Sequence, residues 1–81
     1  MFIVYVIQSE RDGIWYTGFT EDIYRRLKEH NSGKSKFTSG HMPWILIYQE
    51  QANTRIQARK REKYLKSAAG KKFVLKLLSH G

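Results

Sequence analysis

The run Phe2-Ile3-Val4-Tyr5-Val6-Ile7 constrains this chain more than any other feature. Six consecutive β-branched or aromatic side chains leave no polar face, so residues 2–8 read as a strand covered on both sides. Asp12-Gly13 is a turn signal, and residues 14–19 form a second strand, giving an N-terminal hairpin. Hairpin parity then decides where Tyr5 and Tyr16 point. A loop with an even number of residues, such as 12–13 or 10–13, pairs odd with even positions and puts both phenols on one face. A three- or five-residue loop separates them.

Beyond the hairpin, Glu21-Asp22 precede Ile23, Leu27 and His30 at helical spacing, with Thr20 or Asp22 as cap and Gly33 as stop. Residues 33–43 are a Gly/Ser/Lys loop, and residues 44–50 a third strand. Thr54-x-x-Gln57 has the capping-box pattern and opens a second helix reaching about residue 66. Ala68-Ala69-Gly70 interrupts it, and Phe73, Val74, Leu77 and Leu78 mark the apolar stripe of a last helix. The expected class is α/β (α+β), a small three-stranded, largely antiparallel sheet flanked by helices, in the order β-β-α-β-α-α. At 81 residues it is expected to be one domain, 1–81, with one modest core.

Charge is distributed unevenly. Residues 1–50 hold six basic and six acidic side chains, whereas residues 51–81 hold nine basic ones against the single acid Glu62. The net +8 therefore sits in the C-terminal third, as expected of a domain that neutralises phosphates. A solvated basic helix surface is the other reading. There is no cysteine, which excludes a disulfide framework and a Cys-based zinc site. The apolar N-terminal run lacks a basic flank and is too short for a signal or membrane span, so the expected location is cytoplasmic, with no membrane partner.

There is no His/Asp/Glu cluster at metal-ligand spacing, no Gly-rich phosphate loop before a helix and no Ser elbow. Any hydrolytic site must be assembled from Tyr, Arg, His and one carboxylate. Glu62 lies four residues after Ala58 and three before Leu65, so it shares their apolar helix face and needs a partner there, either an arginine or a metal. Arg26 and His30 flank the stripe of the first helix. Arg26 suits bidentate phosphate binding or simple solvation, and His30 either chemistry or a core-edge hydrogen bond. Tyr5 and Tyr16 are equally readable as ordinary strand aromatics.

Order and spacing say more. Val4-Tyr5-Val6, then Tyr16-Thr17-Gly18, Arg26-Leu27-x-x-His30 and Arg61-Glu62-Lys63, together with residues 25–34 and 60–63 at large, resemble the GIY-YIG nuclease family. The chain looks most like the small single-domain bacterial members of that family, which are related to the nuclease domain of the bacterial excinuclease. The first motif reads Ile3-Val4-Tyr5 here and the second has Thr17 in its middle, while both tyrosines and Gly18 are kept.

The resemblance implies catalytic roles for Tyr5, Tyr16, Arg26, His30 and Glu62. One tyrosine helps deprotonate the attacking water, Arg26 stabilises the scissile phosphate, and Glu62 ligates a divalent ion, Mg²⁺ or Mn²⁺. His30 matches a position near metal and phosphate, and Gly18 the signature glycine. The expected partner is DNA, branched and damaged forms included, contacted by Lys34, Lys36, Arg59, Arg61 and Lys63. No second DNA-binding domain accompanies the core, so a protein partner supplying specificity is also expected. The expected function is metal-dependent endonuclease activity. The alternatives are a non-cleaving nucleic-acid-binding module of the same fold and, last, a protein-interaction domain.

Overall fold

The computed structural model describes residues 1–79. Its elements are β1 (Phe2–Ser9), β2 (Trp15–Thr20), α1 (Ile23–His30), a 3₁₀ turn (Thr38–His41), β3 (Trp44–Ala52), α2 (Arg55–Lys66) and α3 (Ala68–Ser79). The sheet is antiparallel throughout, in the order β2-β1-β3. The apolar run is thus the central strand, which explains why it has no polar face. Val4 and Val6 pack with Ala58, Leu65 and Val74 of α2 and α3, whereas Tyr5 and Ile7 pack with Ile23 of α1 and with Trp44. Successive strand residues alternate sides, so α1 covers one face and α2 and α3 the other.

The hairpin closes through Ser9 N–H to Ile14 O at 2.9 Å and Gly13 N–H to Ser9 O at 2.9 Å, leaving residues 10–13 as the loop. Gly13 takes φ +79°, open to glycine at little strain. The loop is even-numbered, and Tyr5 pairs with Gly18 while Ile7 pairs with Tyr16. Both phenols therefore lie on the α1 face. On the other side, Val6 pairs with Tyr48 but Ile7 with Leu46, leaving Ile47 unpaired in a bulge. The extra residue reverses the parity of β3, so Trp44 and Leu46 join the Tyr5 face while Tyr48 joins the α2/α3 face.

Helix ends follow their sequence signals. Asp22 caps α1 by accepting from Arg25 N–H at 3.1 Å. Thr54 caps α2 by accepting from Gln57 N–H, and Gln57 Oε1 reaches back to Asn53 N–H. One expectation is corrected. Ala68-Ala69-Gly70 is the first turn of α3; the break lies at Ser67, whose hydroxyl oxygen accepts from Gly70 N–H at 3.1 Å. A Cβ on Gly70 would stand 2.0 Å from the Tyr64 carbonyl oxygen, so the two helices meet at a point that excludes any side chain. Among the described residues, no helix is long and apolar enough to cross a membrane.

Candidate active site

Gly18 organises the site. A Cβ there would lie 2.8 Å from the Tyr5 hydroxyl and 3.3 Å from Tyr16 Cε1, so the Tyr5 side chain occupies the space a side chain at 18 would fill. Tyr5 is buried, and its hydroxyl meets His30 Nε2 at 2.9 Å. His30, at the last turn of α1, is also fully buried, with Nδ1 2.9 Å from Thr38 Oγ1. With Tyr5 donating to Nε2, Nδ1 carries the ring proton and donates to Thr38. Thr38 is held in turn, because Trp44 Nε1–H donates to its carbonyl at 2.9 Å.

Burial decides the protonation of this pair. It pushes the Tyr5 phenol up to about 12; Arg26 acts against that shift, and the negative charge of Glu62 adds a smaller push upward. Burial likewise takes His30 down to about 4, with Arg26 adding to the effect. At neutral pH Tyr5 holds its proton and His30 is uncharged.

Tyr16 is the accessible phenol. It is half-buried, its ring 4.9 Å from that of His30 and 6.5 Å from that of Tyr5. Arg26 is partly exposed on α1 and donates from Nη1 to Glu29 Oε1 at 3.0 Å. Burial opposes its charge, but Glu29 and the Tyr5 hydroxyl more than offset this. The guanidinium is thus held beside the tyrosines with its cationic state secured.

Glu62 stands on the helix that covers the other side of the sheet. It sits on the inward side of α2 between Ala58 and Leu65, its side chain 17% exposed, with Lys66 Nζ at 3.2 Å and Arg59 Nε at 4.0 Å. The tyrosines point to the α1 face and α2 packs on the opposite one, so the two halves meet around β2, the edge strand. A cleft of about 570 Å³ runs along that edge, lined by Trp15, Tyr16, Thr17, Phe37, Lys66 and Lys71 among others. Tyr16 connects it to His30, and Lys66 connects it to Glu62.

A tyrosine pair seated over a glycine, a helix arginine and one carboxylate on a basic helix is the constellation that the sequence motifs imply. The family model described as "GIY-YIG catalytic domain" matches residues 1–74. The chain belongs to the GIY-YIG family. Among its relatives, the UPF0213 protein SSP2268 of Staphylococcus saprophyticus is 39% identical over 79 residues, 96% of this chain and 94% of that one. The UPF0213 protein VNG_2274C of Halobacterium salinarum is 42% identical over 67 residues, 82% of this chain and 86% of that one. The solution NMR structure of the UPF0213 protein BH0048 from Bacillus halodurans shares 36% identity and superposes with a TM-score of 0.57. It covers 95% of this chain and 85% of that chain. Membership gives the chain a nuclease-type domain at the level of the family.

Within this GIY-YIG domain the remaining candidates divide. Lys34, Lys36, Arg59 and Lys63 are exposed and able to meet a polyanion. Arg61 is used internally instead. Its Nε and Nη2 donate to Glu50 at 2.6 and 2.9 Å, and its guanidinium lies 4.8 Å over the Tyr64 ring, tying α2 to β3. His30 is also placed differently from the expectation of a group facing metal and phosphate, because its two ring nitrogens are occupied by Tyr5 and Thr38. Three contributors escaped sequence reasoning. Thr38 carried no signal and Lys71 only its place in the basic C-terminal third, but Glu29 stands three residues after Arg26, a spacing at which ion pairs form.

Among the described residues no three His, Cys, Asp or Glu side chains converge on a metal position. Glu62 nonetheless fits a divalent ion of the magnesium type, which takes hard oxygen ligands and keeps several waters. Lys66 and Arg59 compete for the same carboxylate.

Proposed function

We propose that the chain is an endonuclease that hydrolyses DNA phosphodiester bonds with the help of a divalent ion, Mg²⁺ or Mn²⁺, at the β2 edge. The observation that carries this reading is the Tyr5–Tyr16 pair seated over Gly18, with the charges of Arg26 and Glu62 both bearing on the Tyr5 phenol. Arg26 donates to a non-bridging oxygen of the scissile phosphate, a task suited to its planar fork. Tyr16, lining the cleft, orients the attacking water and, as its phenolate, accepts the water's proton to become the neutral phenol. Tyr5 keeps its own proton and, through His30 and Thr38, fixes the wall against which Tyr16 and Arg26 work. Glu62 would hold the divalent ion, which would polarise the phosphate and stabilise the leaving oxygen. Arg59, Lys63, Lys34 and Lys36 give salt-dependent attraction for the backbone.

Purified protein with Mg²⁺ or Mn²⁺ is expected to nick plasmid DNA, and Arg26→Ala and Tyr16→Phe each to remove the activity. Unchanged nicking in both variants would overturn the reading. A non-cleaving binding module is favoured by one observation, the Lys66 ammonium already seated on Glu62. It would show as salt-sensitive binding with no metal-dependent product on plasmid, branched or single-stranded DNA.

A further inference from the structure

The cleft beside β2 has a feature that phosphate chemistry does not require. Phe37 is 55% exposed, on a segment that is otherwise well anchored. The next residue, Thr38, is fully buried and bonded to His30 and Trp44. Farther along, Ser9 Oγ donates to the His41 carbonyl at 2.6 Å and Arg11 Nη1 to the Gly40 carbonyl at 3.3 Å. His41 Nδ1 lies 2.6 Å from Asp12 Oδ2. The Phe37 ring is thus held in solvent by a fixed backbone, its centroid 5.8 Å from that of Tyr16 and tilted 33° to it. Across the cleft stand two cations, Lys66 beside Glu62 and Lys71, whose Nζ lies 5.1 Å from the Trp15 ring.

An exposed aromatic ring next to a phosphate-directed site, facing lysines across a concave space, is how proteins grip an unpaired nucleotide: the base stacks and the backbone runs along the cations. Bases inside a duplex are stacked on each other and present no face to such a ring. We propose that this cleft binds an unpaired nucleotide of a DNA strand, stacked on Phe37, adjacent to the bond the site cuts. The substrates are accordingly single-stranded DNA or junctions carrying an unpaired stretch, in preference to continuous duplex. The cleft volume lies within the range of about 300–1,000 Å³ typical of pockets for small organic groups. This proposal rests on the nuclease reading for its position beside a scissile bond, but its binding component is measurable without cleavage.

The test is fluorescence anisotropy with a labelled single strand of about 20 nucleotides, long enough to span a site of the size typical for one small domain, and the matching blunt duplex, in EDTA at fixed salt. Wild-type protein is expected to prefer the single strand by about tenfold or more, the scale of one stacked base. Phe37→Ala is expected to weaken single-strand binding about tenfold, within the range for loss of a stacking aromatic, and to leave duplex binding unchanged. Phe37→Trp, which keeps a stacking surface, is expected to restore it, separating stacking from any loss of fold. Equal affinity for the two DNAs, or Phe37→Ala weakening neither or both alike, overturns the proposal. A Phe37-dependent single-strand preference without cleavage in Mg²⁺ retains the stacking site while removing the nuclease reading. Cleavage of single-stranded DNA undiminished in Phe37→Ala retains the nuclease and removes the stacking site.

Discussion

The Tyr5 hydroxyl lies 2.9 Å from His30 Nε2, and both side chains are buried beneath the sheet edge where the candidate site opens. This contact links the first motif tyrosine to the end of α1 and, through Thr38, to the segment bearing Phe37. It also divides the two tyrosines by role. Tyr5, with its phenol raised to about 12, is a fixed proton holder, and Tyr16 is the phenol within reach of solvent.

The depressed His30 gives a signature in stability against pH. Its ordinary value is 6.5 and its folded value about 4, so between these limits the unfolded chain binds the extra proton. Stability from this group is complete above pH 6.5, declines as pH falls, and levels off below about 4. The full loss is up to about 3 kcal/mol, at about 1.36 kcal/mol per pKa unit. Urea unfolding at about pH 7.5, 6 and 5, spanning that window, is expected to show a decline that His30→Gln largely removes. A decline of equal slope in His30→Gln would mean that another group titrates.

Two glycines are expected to fail differently when replaced by alanine. Gly18→Ala drives a methyl group against the Tyr5 hydroxyl and the Tyr16 ring, so Tyr5 must leave His30. We expect a loss of about 1–3 kcal/mol, as for overpacking, with cleavage falling far more than the fraction folded accounts for. Gly70→Ala drives one against the Tyr64 backbone, where only a shift of whole helices gives relief. We expect a larger loss of stability there, measured by thermal melting, with activity per folded molecule near wild type.

Basic residues on α2 are expected to separate by partner. Arg61→Ala breaks the paired bonds to Glu50 and is expected to lower stability by about 1–2 kcal/mol, the scale of hydrogen bonds to charged groups, with DNA affinity little changed. Arg59→Ala and Lys63→Ala are expected to do the reverse, each reducing affinity and the slope of log affinity against log salt by about one unit. A salt slope reduced in Arg61→Ala as much as in the other two would contradict this division.

Much of this was legible in the sequence, for identifiable reasons. The central strand follows from six apolar residues in a row, and the common face of Tyr5 and Tyr16 from an even hairpin loop. The caps at Asp22 and Thr54 were readable because they are local. Relationships across the sheet were not. Nothing in the order of residues tells that Glu62 stands on a helix covering the face opposite the one the tyrosines point to. The Arg61–Glu50 pair spans eleven positions and two elements, so Arg61 looked like one more surface cation. Ala68-Ala69-Gly70 reads as a helix breaker by composition, yet Gly70 is there because Tyr64 leaves no room for a Cβ. Thr38 sits in a polar segment that resembles a solvated loop until Trp44 and His30 are seen to hold it.

The central claim, hydrolysis of DNA assisted by a divalent ion on Glu62, is tested most directly by single-turnover cleavage of an end-labelled oligonucleotide over a Mg²⁺ titration. Wild type is compared with Glu62→Gln, which keeps the shape and removes the charge. We expect metal-dependent cleavage by wild type and a rate lower by about 100-fold or more for Glu62→Gln at equal DNA affinity, a difference of about 2.7 kcal/mol in the barrier. Equal rates and equal metal dependence in the two proteins would contradict the claim.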